Sequence, residues 1–265
     1  MDKMKMESEN IQQENVAKIA ALFPNCVTET RNENGHLKKV INFELLKQML
    51  SDSVIDGDEA YEFTWVGKNA SIVEANRPIR KTLRPVKEDS VNWDTTENLY
   101  IEGDNLEVLK LLQESYLGKV KMIYIDPPYN TGNEGWVYND NVNDPRMRDW
   151  LHKTVGKEGE DLSRHDKWLC MMYPRLKLLQ KMLHPTEGSI FISIDENEVH
   201  NLKLICHEIF GASHHVATIA WKKRYSRENR GAIGDAHEYI LVYASDVETF
   251  KEIRHKVEFD ENSAH

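Results

Sequence analysis

The run Asp126-Pro127-Pro128-Tyr129 sets a carboxylate, two rigid carbonyls and an aromatic ring side by side. Asp126 precedes a proline, and the proline ring pushes the residue before it towards an extended backbone. Pro127 and Pro128 have a fixed φ and no N–H, so their carbonyl oxygens project from a stiff turn. Asp126 and the carbonyl of Pro127 then form paired acceptors suited to an amino group. Tyr129 adds a flat face, and stacking a base on such a ring is worth ~1–3 kcal/mol. Together these groups would receive the exocyclic amino group of a nucleobase. Alone, the same tetrapeptide is also compatible with a simple loop after a core strand.

The elements around the tetrapeptide favour the chemical reading. Val120 to Ile125 is a nearly unbroken apolar run, as expected of a strand buried on both faces in a parallel sheet. In open α/β sheets the groups that meet ligands lie just past the carboxyl ends of such strands. Upstream, Leu99-Tyr-Ile101 reads as a short strand, followed by Gly103-Asp104 and a helix through Leu106, Leu109, Leu112 and Tyr116. Asp104 is placed either to meet an adenosyl group or to cap that helix, and the two roles are compatible.

Downstream, Gly135 to Gly159 is long and polar, the profile of a functional loop that would cover a pocket with Trp136 and Tyr138. Ser163-x-x-Asp166 reads as a capping box opening a helix through Trp168, Met172, Leu176, Leu179 and Leu183, kinked at Pro174. Gly188 to Ile194 is the next buried strand, ending at Asp195-Glu196. Val199, Leu202, Ile205 and Ile209 mark a helix stopped by Gly211, and Val216–Trp221 and Glu238–Ala244 are further strands. This alternation predicts an α/β fold with parallel crossovers and a doubly wound sheet.

The N-terminal part is less regular. Ile11, Val16, Ile19 and Ala20 give a short helical pattern, Phe23 to Asn34 reads as turn-like, and Asn42 caps a helix through Phe43, Leu46, Met49 and Leu50. Tyr61 to Val66 alternates like a strand. Arg77, Arg80, Lys81, Arg84 and Lys87 form a basic connector that fits either phosphate contact or a solvated linker.

At 265 residues, with 40% hydrophobic and 29% charged residues, the chain has an ordinary soluble composition. No apolar run approaches the ~20 residues of a membrane span. The first residues lack a signal-peptide core, so a cytoplasmic location without membrane contact is expected. Cys26, Cys170 and Cys206 are too scattered for a ligand pair, and the 11 histidines show no metal-ligand spacing, so no metal is predicted. The net charge of −10 has the wrong sign for a general DNA binder, because DNA affinity rests on neutralising phosphates. Contact with DNA must then use a local basic surface. Lys222, Lys223, Arg224, Arg227 and Arg230, interleaved with Trp221 and Tyr225, are the best candidate.

The run from Asp126 to Asn133 resembles the catalytic motif of amino-methyltransferases that act on adenine N6 in DNA. With Asn98 to Leu106 and Tyr116 to Asp126, it resembles the modification (Mod) subunits of type III restriction–modification systems, from about Phe23 to Ala244. The resemblance implies a Rossmann-like methyltransferase sheet, S-adenosylmethionine as methyl donor, and an adenine flipped from double-stranded DNA. It assigns catalysis to Asp126, Pro127, Pro128 and Tyr129, with direct transfer and no covalent enzyme intermediate. It further implies a restriction (Res) subunit as partner, and a second copy or a complementing C-terminal half.

The family's Phe-x-Gly-x-Gly turn for the donor has no counterpart here. Phe210-Gly211-Ala212 lacks the second glycine, and Gly231-Ala-Ile-Gly234 lacks the phenylalanine. The expected organisation is therefore an α+β appendage and connector over residues 1–90, then a partial catalytic sheet over 91–265. The target-recognition and donor-turn segments would lie outside it. Alternatives are an inactive remnant that binds only DNA or a partner subunit, or an enzyme modifying cytosine N4 or RNA.

Replacing Lys222, Lys223 and Arg224 by Ala is expected to weaken DNA binding and flatten its salt dependence. Each lost phosphate contact removes roughly one unit from the log–log slope, as a filter-binding titration against salt would read.

Overall fold

The computed structural model describes residues 10–31, 37–50, 62–131, 158–223 and 236–255. Its contacts divide the chain into two compact units, residues 1–64 with 76–98, and residues 65–75 with 99–265.

In the first unit, helix α1 (Ile11–Leu22) is opened by Asn10, whose side chain accepts from the Gln13 N–H at 3.1 Å. Val27–Arg31 (β1) pairs antiparallel with Leu37–Ile41 (β2), so part of the stretch expected to be turn-like is a strand. The signal was present in Asn34-Gly35, a dipeptide suited to a tight hairpin. Asn42 caps α2 (Phe43–Leu50) as expected, accepting from the Leu45 N–H at 3.2 Å. The connector carrying Arg77 to Lys87 has no helix or strand, and the Lys87 ammonium lies 5.4 Å from the centre of the Trp93 ring.

The second unit carries the sheet. Its strands are Met122–Ile125 (β3), Ser189–Ile194 (β4), His215–Lys222 (β5) and His237–Ala244 (β6), in the order β3-β4-β6-β5. β3 and β4 run parallel, with Ile123 opposite Ile190, but β6 is antiparallel to both β4 and β5. The expected parallel pairing thus holds for β3 with β4, and the described sheet is mixed. The strand buried on both faces is β4, where Ile190, Ile192 and Ile194 are fully buried on one face and Ser189 and Ser193 are buried on the other. β3 instead lies at the edge of the described sheet, with Met122 61% and Tyr124 57% exposed. An apolar run specifies a strand, but its neighbours decide how many faces are covered.

Two expected strands do not form. Leu99–Ile101 and residues 62–66 are irregular; at the end of the latter stretch Val66 bonds outside any sheet, its N–H donating to Asp166 and its carbonyl accepting from the Cys170 thiol. Trp65 is buried all the same, its ring 5.7 Å from that of Tyr173. Helix α3 (Lys68–Asn76) follows and is joined to α4 (Asn105–Tyr116) by the ion pair of Glu74 with the buried Lys110 at 2.7 Å.

Helix α5 spans Glu158–Met182 and continues through Pro174, starting before the Ser163-x-x-Asp166 box that was expected to open it. Asp166 accepts from the Val66 N–H at 3.3 Å. Helix α6 (Val199–Phe210) ends at Gly211, whose φ of 97° is available to glycine at little cost. Val247–Ile253 forms a final helix, α7.

Against the sheet, the rings of His207 and His215 pack on the buried Tyr243, at centroid distances of 6.0 and 5.2 Å. Burial, reinforced by the Lys203 charge, holds both imidazoles below the ordinary histidine range. A depressed histidine is neutral in the fold while the unfolded chain still takes up its proton, so acid favours unfolding. Thermal stability is therefore expected to fall as pH drops below about 6.5, the unperturbed histidine value. Lys203→Gln should make that fall shallower, measured as melting temperature across a pH series.

Candidate functional site

β3 delivers the tetrapeptide to the edge of a cleft. Beyond Ile125 the extended backbone stops at Asp126, and the turn ends at Asn130, whose φ of 61° is left-handed. A non-glycine residue is rarely found there, although asparagine tolerates it better than most. Asp126 is exposed and Tyr129 is half-buried. The Tyr129 phenol is held well above the ordinary tyrosine range, first by burial and then by its hydrogen bond to the Asp126 carboxylate. The acceptor and the aromatic face predicted from the sequence thus line one cleft.

The cleft has a volume of about 390 Å³ and is lined by Tyr124, Asp126, Tyr129, Ser193, Trp221, Glu238, Tyr239 and Ile240. It runs from the end of β3 across β4 to β6 and β5 of the same sheet. The Tyr124 hydroxyl lies 2.7 Å from Ser193 Oγ, which ties β3 to β4 on the cleft side. Trp221 was expected to help a basic loop contact DNA, and the structure puts its ring in the same cleft as Tyr129. Aromatic walls with carboxylates between them suit a flat, uncharged group carrying amino hydrogens.

The residues that hold the turn were not singled out by sequence. Trp168, fully buried in α5, donates its indole N–H to the Pro128 carbonyl at 2.7 Å. The Asn130 side-chain amide donates to Glu198 Oε1. His165 Nδ1 reaches the same carboxylate oxygen at 2.6 Å, and Asn201 Nδ2 donates to Oε2 at 2.9 Å. Trp168 had been counted only as an apolar position of its helix. Glu198 sits in the polar run Asp195-Glu196-Asn197-Glu198, which reads like a solvated helix start.

The other predicted residues divide. Lys222 is in β5 and Lys223 directly follows it, whereas Arg224, Arg227 and Arg230 lie outside the described residues, as do Trp136 and Tyr138. Lys223 pairs with Glu238, and its ammonium stands 6.0 Å from the centre of the Tyr129 ring. A cation predicted to meet phosphate therefore borders the predicted base receptor.

Asp104 is the N-cap of α4, accepting from the Glu107 N–H at 3.1 Å, and lies 3.5 Å from the Arg175 guanidinium. Its carboxylate is thereby engaged within the fold. A Cβ added at neighbouring Gly103 would meet nothing nearer than Val108 Cγ2 at 3.7 Å, so the glycine frames no tight cradle. The Asp104 side chain remains 53% exposed.

Comparison with known proteins follows the same line. The chain is 38% identical over 259 residues to the EcoP15I Mod subunit, a type III restriction–modification protein of Escherichia coli, covering 91% of this chain and 38% of the relative. It is 37% identical over 254 residues to the EcoPI Mod subunit of Escherichia phage P1, covering 90% and 38%. With the type II methyltransferase M.KpnI of Klebsiella pneumoniae it shares 37% identity over 171 residues, covering 64% and 36%. The chain thus spans little more than a third of the length of these relatives. A family model described as DNA methylase matches residues 120–265, more than half of the chain. That match takes in β3, its turn and every described element after them, and the chain belongs to the DNA methylase family.

Proposed function

We propose that this chain forms the base-receiving part of a DNA adenine-N6 methyltransferase, the modification component of a restriction–modification system. The observation that carries the reading is the placement of Asp126 and Tyr129 together in one cleft with Trp221 and Tyr239. The Mod identity of the relatives supports the biological setting. In this reading the mixed sheet belongs to a doubly wound, Rossmann-like methyltransferase fold in the cytoplasm. Its partners are double-stranded DNA, a Res subunit, and a second copy or complementing polypeptide.

The methyl donor that the family implies, S-adenosylmethionine, supplies an electrophilic methyl group when bound. This chain's residues act on the acceptor. A target adenine leaves the duplex, at an unstacking cost of a few kcal/mol, and enters the cleft. Tyr129 stacks on one face of it, with Trp221 on the wall across from it. Asp126 and the Pro127 carbonyl accept the amino hydrogens, which draws the N6 lone pair out of conjugation with the ring and leaves it nucleophilic. Tyr129, by donating to Asp126, keeps the carboxylate turned towards the amino group. Lys223 exchanges Glu238 for a phosphate as the strand arrives.

The test is methyl transfer to duplex DNA, with digestion and mass spectrometry of the nucleosides. N6-methyladenine is the expected product, while N4-methylcytosine would reassign the acceptor base. Asp126→Ala should lower kcat by about 10²–10³, the scale for losing one preorganised partner of a reacting group. Tyr129→Ala should cost the stacking term of ~1–3 kcal/mol. Tyr129→Phe keeps the ring and should cost less than Tyr129→Ala. Near-normal transfer by Asp126→Ala would remove the basis of the assignment.

A further inference from the structure

We propose that Glu198 is a positioning residue, a buried anchor that holds the Asp126–Asn130 turn in its base-receiving shape. The proposal deepens the functional reading above and, for its activity readout, rests on it.

Glu198 is 0% exposed, and burying a carboxylate is costly unless its oxygens are met by donors. Here the donors come from separate elements. Asn130 of the turn and His165 of α5 converge on Oε1, and Asn201 of α6 donates to Oε2 at 2.9 Å. Glu198 occupies the N-cap position of α6, yet its side chain caps no amide of that helix. It is turned to Asn130 instead. The helix end still helps, because a negative charge is favoured at a helix N-terminus.

Asn130 is the residue that needs holding. It is 1% exposed and left-handed, immediately after Tyr129. A backbone conformation of that kind persists only where its surroundings over-determine it. The bond to Glu198 fixes the C-terminal end of the turn, while Trp168 grips its middle through the Pro128 carbonyl. Trp168 and His165 are three residues apart, so one face of α5 serves both the middle of the turn and its C-terminal end. Without Glu198, Asn130 is released and Tyr129 with Asp126 loses its fixed place at the cleft wall.

Glu198→Ala tests this, since it removes both acceptor oxygens, whereas Glu198→Gln keeps one oxygen for Asn130 and is the conservative comparison. Hydrogen exchange by mass spectrometry on the full chain is the primary readout. In Glu198→Ala, exchange in the peptide covering Asp126–Thr131 should rise by about tenfold or more, while peptides from Met172–Met182 and β4 stay protected. Glu198→Gln should retain most of the protection. In the methyl-transfer assay, Glu198→Ala should lower kcat by up to about 10²-fold with the KM for DNA unchanged. Unchanged loop exchange in Glu198→Ala, a rise spread evenly over the core, or equal loosening in Glu198→Gln would each overturn the proposal. Should Glu198→Ala fail to fold, Asn130→Gly carries the test, because glycine accepts the left-handed φ while losing the anchor. It too must loosen the loop selectively, and normal protection would overturn the proposal. Absence of methyl transfer in the unmutated chain would count against the functional reading, whereas the exchange result decides the anchor by itself.

Discussion

A turn built on two prolines cannot donate backbone hydrogen bonds to hold itself in place, so its carbonyls must be held from outside. The indole of Trp168 meets that need, donating to the Pro128 carbonyl at 2.7 Å from the middle of the buried α5. A buried donor left without its acceptor costs roughly 1–3 kcal/mol, so the indole and the turn constrain each other. Everything functional in the second unit follows from that contact. β3 brings the chain to the cleft, Trp168 sets the direction of the turn, and Asp126 and Tyr129 project where β5 and β6 supply the other wall. A receptor of this kind works by being rigid before the base arrives.

Under the proposed function, the cleft also reconciles an acidic chain with a polyanionic partner. Asp126 and Glu238 line it, which suits amino hydrogens and repels phosphate. Lys223 stands between Glu238 and the Tyr129 ring at its border. Charges of opposite sign are thus sorted over a short distance: acceptors inside for the base, a cation at the rim for the backbone. The net charge of −10 describes the whole chain and says little about this local division.

Much of this was legible in the sequence, for local reasons. An apolar run ending at Asp-Pro-Pro names a strand end, and the Gly211 stop and Asn42 cap are equally local signals. What escaped was decided by distant neighbours. β3 lies at the edge of the described sheet because β4 and β6 take its central places, and no residue within 122–125 encodes that. Leu99–Ile101 has strand-forming residues but no partner among the described elements. The antiparallel run of β6 between β4 and β5 broke the parallel pattern that the alternation of elements suggested. Glu198 was hidden by its polar neighbours, since only the fold brings Asn130 and His165 onto its carboxylate.

The central claim is that a nucleobase is received against Tyr129 at the end of β3. Photocross-linking tests it most directly, using a duplex that carries one mismatched 5-iodouracil, because a mispaired base leaves the stack at the lowest cost. After irradiation and proteolysis, mass spectrometry locates the attached nucleotide. Attachment at Tyr129 is the predicted result. Attachment confined to residues outside the cleft, with Tyr129 unmodified, would contradict it.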